Sequence, residues 1–247
     1  DFCLSRGLGD VYKRQDQMHE KEKNNQMMVE VLSQIMEFRN GESGQHVQHI
    51  KMLTGFLLDR LMQKTDKYDL KWSDQYMITI ASALHDIGKV GIDEKILNKP
   101  GRLTNEEFEE MKKHTLIGAS MLKSLGVYQN EELVKVAYQI CRWHHERYDG
   151  KGYPDGLKGE EIPIAAQVVS VADVYDALTS ERVYKKAFSH EKAMEMILAG
   201  ECGTFNPLLL ECLQDIQGNI QVEMKRAAEQ PMRVQNSYVG KMIETVQ

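Results

Sequence analysis

Histidine and aspartate residues form adjacent pairs in the sequence. Asp86 follows His85, and His145 follows His144. Imidazole nitrogens and carboxylate oxygens are common ligands of first-row transition metals. The two oxygens of an aspartate also allow it to bridge two ions. Taken alone, however, a His-Asp pair is better explained by an aspartate that caps a neighbouring helix and a histidine that closes the core.

Other acidic and imidazole groups occur where they need a partner. Asp173 lies within the apolar run 168–174, and a buried carboxylate requires a salt bridge or a cation. Glu42 and His46 are one helical turn apart, so their side chains can share a cation. Five of the eight histidines occupy positions that suit metal ligation, whereas we assign surface or packing roles to His19, His49 and His190. Because no thiolate accompanies them, iron or manganese is favoured over structural zinc.

Apolar residues at helical spacing predict the elements that must position these groups. Residues 16–40 form an amphipathic helix through Met27, Val31, Ile35 and Phe38. It is either the leading helix of the domain, packed on its own core, or a coiled coil that links the domain to an upstream module. The fold class predicted for the whole chain is all-α.

The remaining helices are predicted from apolar stripes and capping residues. A helix begins near Ser43, and another is capped by Ser73 and stopped at Gly88. His114 lies in a helix that Thr104 and Glu107 open as a capping box. Further helices cover 133–143 and 165–178 and begin after Ser189 and Asn206. Between the helices predicted at 133–143 and 165–178, residues 149–159 form a turn-rich loop in which Gly150, Gly152 and Gly156 allow tight turns.

Composition excludes several classes of protein. A formal net charge of −6 does not suit a general nucleic-acid coat, so we expect no DNA partner. The four cysteines are scattered, which is typical of reduced thiols in a cytoplasmic protein. No apolar run is long enough to cross a bilayer, and we expect no membrane span in this chain. Residues 1–15 have no period and are interpreted as translated adapter sequence or a disordered end.

Three sequence motifs resemble one known family. The stretch HDIGK at 85–89 resembles the motif of the HD phosphohydrolase superfamily. The stretch HHERYDGKGYP at 144–154 is similar to the signature of the HD-GYP family, and ADVYDALT at 172–179 resembles the same family. The resemblance covers about residues 40–213. It implies a helical HD-GYP domain at 41–213, a leading or linker helix at 16–40, and a C-terminal helical extension and tail at 214–247.

The resemblance implies a metal-dependent phosphodiesterase that hydrolyses cyclic di-GMP to pGpG and/or GMP. It implies two or three divalent metal ions, with a glutamate at position 42 associated with the third. The implied metal ligands are Glu42, His46, His85, Asp86, His114, His144, His145 and Asp173.

The charges of the site suggest how such an enzyme would act. We expect Asp86 to bridge two metals, which hold a hydroxide that attacks phosphorus. Lys89 is predicted to contact the scissile phosphate or to assist the leaving oxygen, the alternative being a surface salt bridge. The resemblance assigns substrate contacts to Arg182 and Lys185. Tyr153 either stacks on a guanine or packs the loop.

Partners and rival functions remain open at this point. Analogy with the family suggests that a diguanylate cyclase domain docks at the GYP loop. An upstream receiver or sensor domain is also expected, which would make the chain a response regulator fragment. The rival functions are an HD enzyme for another cyclic dinucleotide or nucleotide, and a non-catalytic module that binds a cyclic dinucleotide. A scaffold with a buried polar cluster ranks last because its desolvation would be costly.

Overall fold

The computed structural model describes residues 20, 23–40, 45–181 and 186–229, with side chains of the last helix described up to residue 223. Over this part of the chain the predicted all-α class is confirmed, because it contains helices and no strand. The helices are α1 (23–40), α2 (His46–Lys64), α3 (Trp72–Ala81), α4 (Glu94–Leu97), α5 (Asn105–Lys112), α6 (His114–Lys123), α7 (Glu132–Trp143), α8 (Ile164–Thr179), α9 (His190–Leu198) and α10 (Pro207–Glu229). Short 3-10 helices lie at Ser82–Leu84, Ile87–Gly91, Gly126–Tyr128 and Gly159–Glu161.

Helices α2 and α8 pack against each other at the centre of the bundle. The predicted stripe of α2 is fully buried, and it includes Ile50, Leu53 and Leu57. Helix α8 is apolar around most of its circumference, which is typical of a helix enclosed by others. Helices α3 and α10 pack against α2, and α7 packs against α8. The central pair therefore provides a rigid frame for side chains that project from it.

Helix α1 packs on the domain through a face that the apolar pattern did not indicate. Val29, Ser33 and Met36 are buried, and Ser33 Oγ donates to the carbonyl of Ala83 at 2.9 Å. The predicted stripe, which includes Ile35 and Phe38, is exposed instead. The buried face thus combines apolar residues with a polar contact from Ser33 to Ala83, and apolar spacing carries no information about such a contact.

Helix α3 begins and ends earlier than predicted. Asp74 Oδ2 accepts from the backbone N–H of Lys71 at 2.8 Å, so the helix begins at Trp72 and Ser73 lies inside it. This shifts the buried face, and Tyr76, which was expected in the core, is 41% exposed. From Ser82 the backbone tightens into a 3-10 turn.

Gly88 does not stop a helix but allows two backbones to approach closely. It lies within the 3-10 helix Ile87–Gly91, where a Cβ atom would be 1.9 Å from the carbonyl oxygen of His114 and 2.4 Å from the amide of Gly118. No side chain fits in that space. The absence of a side chain at residue 88 thus lets α6 lie directly on the segment after His85-Asp86.

Several predicted helix ends are confirmed. Thr104 and Glu107 form the capping box of α5, with Thr104 N–H donating to Glu107 Oε2 at 2.7 Å. Ser189 caps α9, and Asn206 Oδ1 accepts from Leu208 N–H at 3.0 Å. Helix α10 continues without a break through residue 213, and Ile220 belongs to the core. None of the described helices is long and apolar enough to cross a membrane.

Candidate metal centre

The candidate ligands come from five separate segments. His46 begins α2, His85 and Asp86 lie between two 3-10 turns, and His114 begins α6. His144 and His145 follow the end of α7, and Asp173 lies in the middle of α8. The prediction that His114 belongs to the capped helix was wrong, because α5 ends at Lys112 and a new helix begins at His114. Most of these positions are helix ends, where adjacent side chains can both reach one cavity.

The ligand atoms converge as two groups joined by one carboxylate. Within the groups His46, His85, Asp86 and His114, His144, His145, all ligand atoms lie within 4.8 Å of one another. Asp86 Oδ2 is 3.3 Å from His85 Nε2, and Asp86 Oδ1 is 3.3 Å from His114 Nε2. Asp173 Oδ1 lies 4.0 Å from Nε2 of both His46 and His85. The fold thus brings together seven of the eight predicted ligands.

Hydrogen bonds at Nδ1 orient three of the imidazoles towards the centre. Nδ1 of His85 lies 2.9 Å from the carbonyl of Ser82, that of His114 lies 2.7 Å from the carbonyl of Met111, and that of His144 lies 2.9 Å from the carbonyl of Ile140. A carbonyl oxygen only accepts, so each Nδ1 donates. The Nε2 atoms are then left to face inward, which is the arrangement of histidines that bind metals.

The inward nitrogens are too close together to remain without a positive charge. Nε2 of His46 lies 3.3 Å from Nε2 of His85, and Nε2 of His114 lies 3.5 Å from Nε2 of His144. Two lone pairs at such distances repel unless a proton or a cation lies between them. The geometry therefore favours the binding of positive charge in both groups.

The two groups of ligands differ in the pKa values of their histidines. Burial and the neighbouring His85 and His114 lower the pKa of His144 to about 3, so His144 is neutral and able to ligate. Burial alone would lower the pKa of His85, but the charges of Asp86 and Asp173 raise it to about 9. Burial would likewise raise the pKa of Asp86, but the ammonium of Lys89 holds it well below its usual range. Lys89 Nζ lies 2.6 Å from Asp86 Oδ2.

The residues around the centre fit a hard or borderline divalent cation. All candidate ligand atoms are nitrogen or oxygen, as such cations prefer. Asn40 Oδ1 is buried and has no hydrogen-bond partner among the described residues. Asn40 lines a small void beside His46, His85 and Asp86, and also the larger cavity outside it. An additional polar ligand or ion in this place would satisfy that oxygen.

Two residues that support the centre were missed in the sequence. Asp176 is buried and holds two histidines: Oδ2 lies 2.6 Å from His46 Nδ1, and Oδ1 lies 2.7 Å from His49 Nδ1. His49, predicted as a surface or packing residue, is thus a buried partner of this carboxylate. The spacing in the sequence could have indicated both residues. His49 follows His46 by three residues, and Asp176 follows Asp173 by three, so each lies on the same helix face as a predicted ligand.

The loop after α7 forms one wall of the site. Tyr153 stacks on the ring of His145, with centroids 4.8 Å apart. Glu146 Oε1 accepts from the backbone N–H groups of Asp155 at 2.7 Å and Gly156 at 3.0 Å. Gly152 packs so tightly against Glu146 that a Cβ atom would be 2.4 Å from its Cα. These contacts fix Tyr153 beside the ligands.

A cavity of about 410 Å³ opens on the centre. Its lining includes Asp86, Lys89, His145, Tyr153 and Asp173. Asp86 and Lys89 therefore border the space that a ligand would enter. Three residues predicted to act in the site, Glu42, Arg182 and Lys185, lie outside the described residues.

Comparisons with known proteins identify the family of the chain. The HD domain family model matches residues 30–205. A probable cyclic di-GMP phosphodiesterase of Vibrio cholerae is 41% identical over 212 residues, covering 84% of this chain and 48% of the relative. The cyclic di-GMP phosphodiesterase response regulator RpfG of Xanthomonas campestris is 35% identical over 206 residues, covering 83% of this chain and 51% of the relative. The chain thus spans about half the length of these curated relatives.

Solved structures share the fold. A cyclic GMP-AMP specific phosphodiesterase of V. cholerae aligns with a TM-score of 0.56 and 18% identity, over 79% of this chain and 49% of that one. An HD-GYP protein of Bdellovibrio bacteriovorus aligns with a TM-score of 0.53 and 19% identity, over 79% of this chain and 61% of that one. The chain therefore belongs to the HD domain family, and its predicted HD-GYP membership is confirmed.

Proposed function

We propose that the protein is a metal-dependent phosphodiesterase that hydrolyses cyclic di-GMP to pGpG and/or GMP. The observation that carries this proposal is the position of the Asp86 carboxylate. One of its oxygens lies 3.3 Å from Nε2 of His85, and the other lies 3.3 Å from Nε2 of His114. Asp86 also lines the cavity of about 410 Å³. Relatives that are 35–41% identical are named as cyclic di-GMP phosphodiesterases. The geometry supports a metal-assisted hydrolysis, and the relatives support the substrate.

The proposed cofactors are two or three divalent ions, iron or manganese. The described ligands would be His46, His85, Asp86, Asp173 and the three-histidine group, while Glu42 would serve a third ion. When bound, such ions supply a hydroxide nucleophile at neutral pH and withdraw charge from the phosphoryl oxygens. Imidazole and carboxylate ligands suit both metals.

The residues of the cavity would bind and orient the substrate. Lys89 lines the cavity, and its ammonium is held at 2.6 Å by Asp86. From there it can bind a phosphate oxygen or donate a proton to the leaving 3′-oxygen. Tyr153 lines the same cavity, where its ring can stack on a guanine. Arg182 and Lys185 are proposed as further contacts to the phosphates or guanine edges.

A second substrate has specific support. A relative named as a 3′3′-cGAMP-specific phosphodiesterase is 38% identical over 186 residues, covering 75% of this chain and 34% of the relative. The two dinucleotides differ in one base, so the cavity described above could admit either. Docking of a diguanylate cyclase domain at loop 149–159, and the presence of an upstream receiver or sensor domain, remain predictions.

A turnover assay with metal analysis tests the proposal. Protein purified without oxygen and loaded with Mn²⁺ or Fe²⁺ is expected to hydrolyse cyclic di-GMP faster than 3′3′-cGAMP. Asp86→Asn should lose metal and at least about 100-fold in turnover, whereas Asp66→Asn, at an exposed bend, should retain both. If 3′3′-cGAMP is cleaved faster, it replaces cyclic di-GMP as the proposed substrate. Binding of cyclic di-GMP without cleavage by fully loaded protein would refute the enzymatic function.

A further inference from the structure

Helix α1 exposes a continuous stripe of large apolar side chains. Six of them are exposed on its outer face, and they include Ile35, at 59%, and Phe38, at 91%. The members of this outer stripe are Met27, Met28, Val31, Leu32, Ile35 and Phe38. Single exposed apolar residues are ordinary, but a cluster of this size on one helix face is typical of an interaction surface.

The described part of the domain to which α1 is attached does not cover the outer stripe. The opposite face of α1 already packs on that domain through Val29, Ser33 and Met36. Arg39, at the end of the helix, donates to the carbonyls of Lys89 and Ile92, each at 2.9 Å. Since these contacts fix the rotation of α1 about its axis, the outer stripe points away from the rest of the described residues.

The spacing of the outer stripe is that of a coiled-coil seam. Met28, Val31, Ile35 and Phe38 follow one another at intervals of three, four and three residues, and Met27 and Leu32 flank them. This is the alternation at which two copies of one helix pack knobs into holes. The stripe is about 17 Å long at 1.5 Å per residue.

The charges on α1 also suit a second copy. The chain carries a net charge of −6, which opposes the association of two copies, so a face without acid is the most favourable one for their contact. Both acidic residues of the described α1 are turned towards the domain. Glu30 binds Gln48 and Lys51, and Glu37 Oε1 accepts from the backbone N–H of Val47 at 2.8 Å. The outer stripe is therefore apolar and free of negative charge.

We infer that the outer stripe of α1 is a dimerisation surface, on which α1 of a second copy of this chain packs as a short two-stranded coiled coil. A contact along about 17 Å of helix should bury less than the roughly 1,200 Å² typical of stable complexes, so we expect a dimer that dissociates at micromolar concentrations. The inference is independent of the substrate.

Dimerisation is expected to affect the candidate metal centre, because residues on the inner side of the same helix contact the site. Asn40 lines the cavity, and Arg39 holds the 3-10 turn that carries Lys89. Pairing of two outer stripes would restrain the end of α1 and, with it, this wall of the site. The proposed surface and the candidate centre are thus connected by one helix.

Sedimentation analysis across protein concentrations tests the dimer. The wild-type chain should be dimeric at high concentration, and the double variant Val31→Glu/Ile35→Glu should be monomeric with an unchanged melting temperature, because both side chains are exposed. The control Val127→Glu changes a residue that is 86% exposed elsewhere and should leave the dimer intact. If the double variant melts early, Phe38→Ser replaces it and should raise the dissociation constant at least tenfold.

Three outcomes would overturn the inference. One is a wild-type chain that stays monomeric at every concentration. Another is a dimer that survives both the double variant and Phe38→Ser. The third is a dimer that forms only after residues 230–247 have been deleted. That result would mean that this segment, and not a second copy, binds the outer stripe in the intact chain.

Discussion

Asp176 Oδ2 lies 2.6 Å from Nδ1 of His46, on the side of the imidazole that faces away from the other candidate ligands. This contact fixes the ring so that Nε2 points to the centre, 3.3 Å from Nε2 of His85. The second oxygen of Asp176 holds His49 and accepts from Ser180 Oγ at 2.8 Å. The carboxylate is thus a positioning group for one half of the centre.

Replacement of Asp176 should weaken metal binding without abolishing the fold. Asp176→Asn keeps the shape but presents an N–H₂ group to one of the two histidines. We expect a 10- to 100-fold loss of Mn²⁺ affinity, as is typical of the partners that orient ligands. Titration calorimetry measures it. Asp215→Asn, which removes a carboxylate from a surface ion pair with Arg60, is the control and should leave the affinity unchanged. Equal affinity in both variants would contradict the positioning role.

Metal affinity should rise with pH. The pKa of His85 is raised to about 9 by the charges of Asp86 and Asp173, against the effect of burial. His85 is therefore protonated at neutral pH, and a metal must displace that proton. The apparent affinity should increase by about tenfold per pH unit between about pH 6.5 and 8.5. Calorimetry in buffers of different ionisation enthalpy should show proton release, and an affinity that is constant over this range would disagree.

Gly88→Ala should disrupt the centre through the backbone. The new Cβ would lie 1.9 Å from the carbonyl of His114, so α6 must move. We expect a destabilisation of about 3 kcal/mol or more, at the upper end of overpacking effects, together with loss of metal. Denaturant unfolding measures the free energy. In contrast, Gly218→Ala meets no atom within 4 Å and lies in α10, so it should stabilise the protein by up to about 1 kcal/mol.

Loss of Glu146 should loosen the loop that carries Tyr153. Glu146→Ala removes the acceptor for the N–H groups of Asp155 and Gly156. Hydrogen exchange of these two amides should accelerate, and KM should rise with little change in kcat or metal content. Glu146→Gln keeps an oxygen that can accept the same bonds and should restore both measurements. A variant in which kcat falls while both amides stay protected would speak against this role.

The sequence predicted what depends on local pattern. The stripe of α2 and the capping box of α5 follow from residues that are close in the chain, and both are confirmed. The end of α3 and the role of Gly88 were wrong because they depend on the approach of α6. Asp176 and His49 were missed because their contact joins residues 127 positions apart. Periodicity identified the apolar stripe of α1 but could not decide whether it packs on the core of the domain or on another helix, and the structure exposes it.

The contact between Gly88 and His114 has a consequence for how the ions arrive. It joins the two ligand groups through the main chain, so their spacing is set by the folded polypeptide before any ion binds. A preorganised cage of this kind does not select its occupant by changing shape. The supply of metal ions and their exchange kinetics would then determine which ion binds, and the same polypeptide could function under different metal supplies.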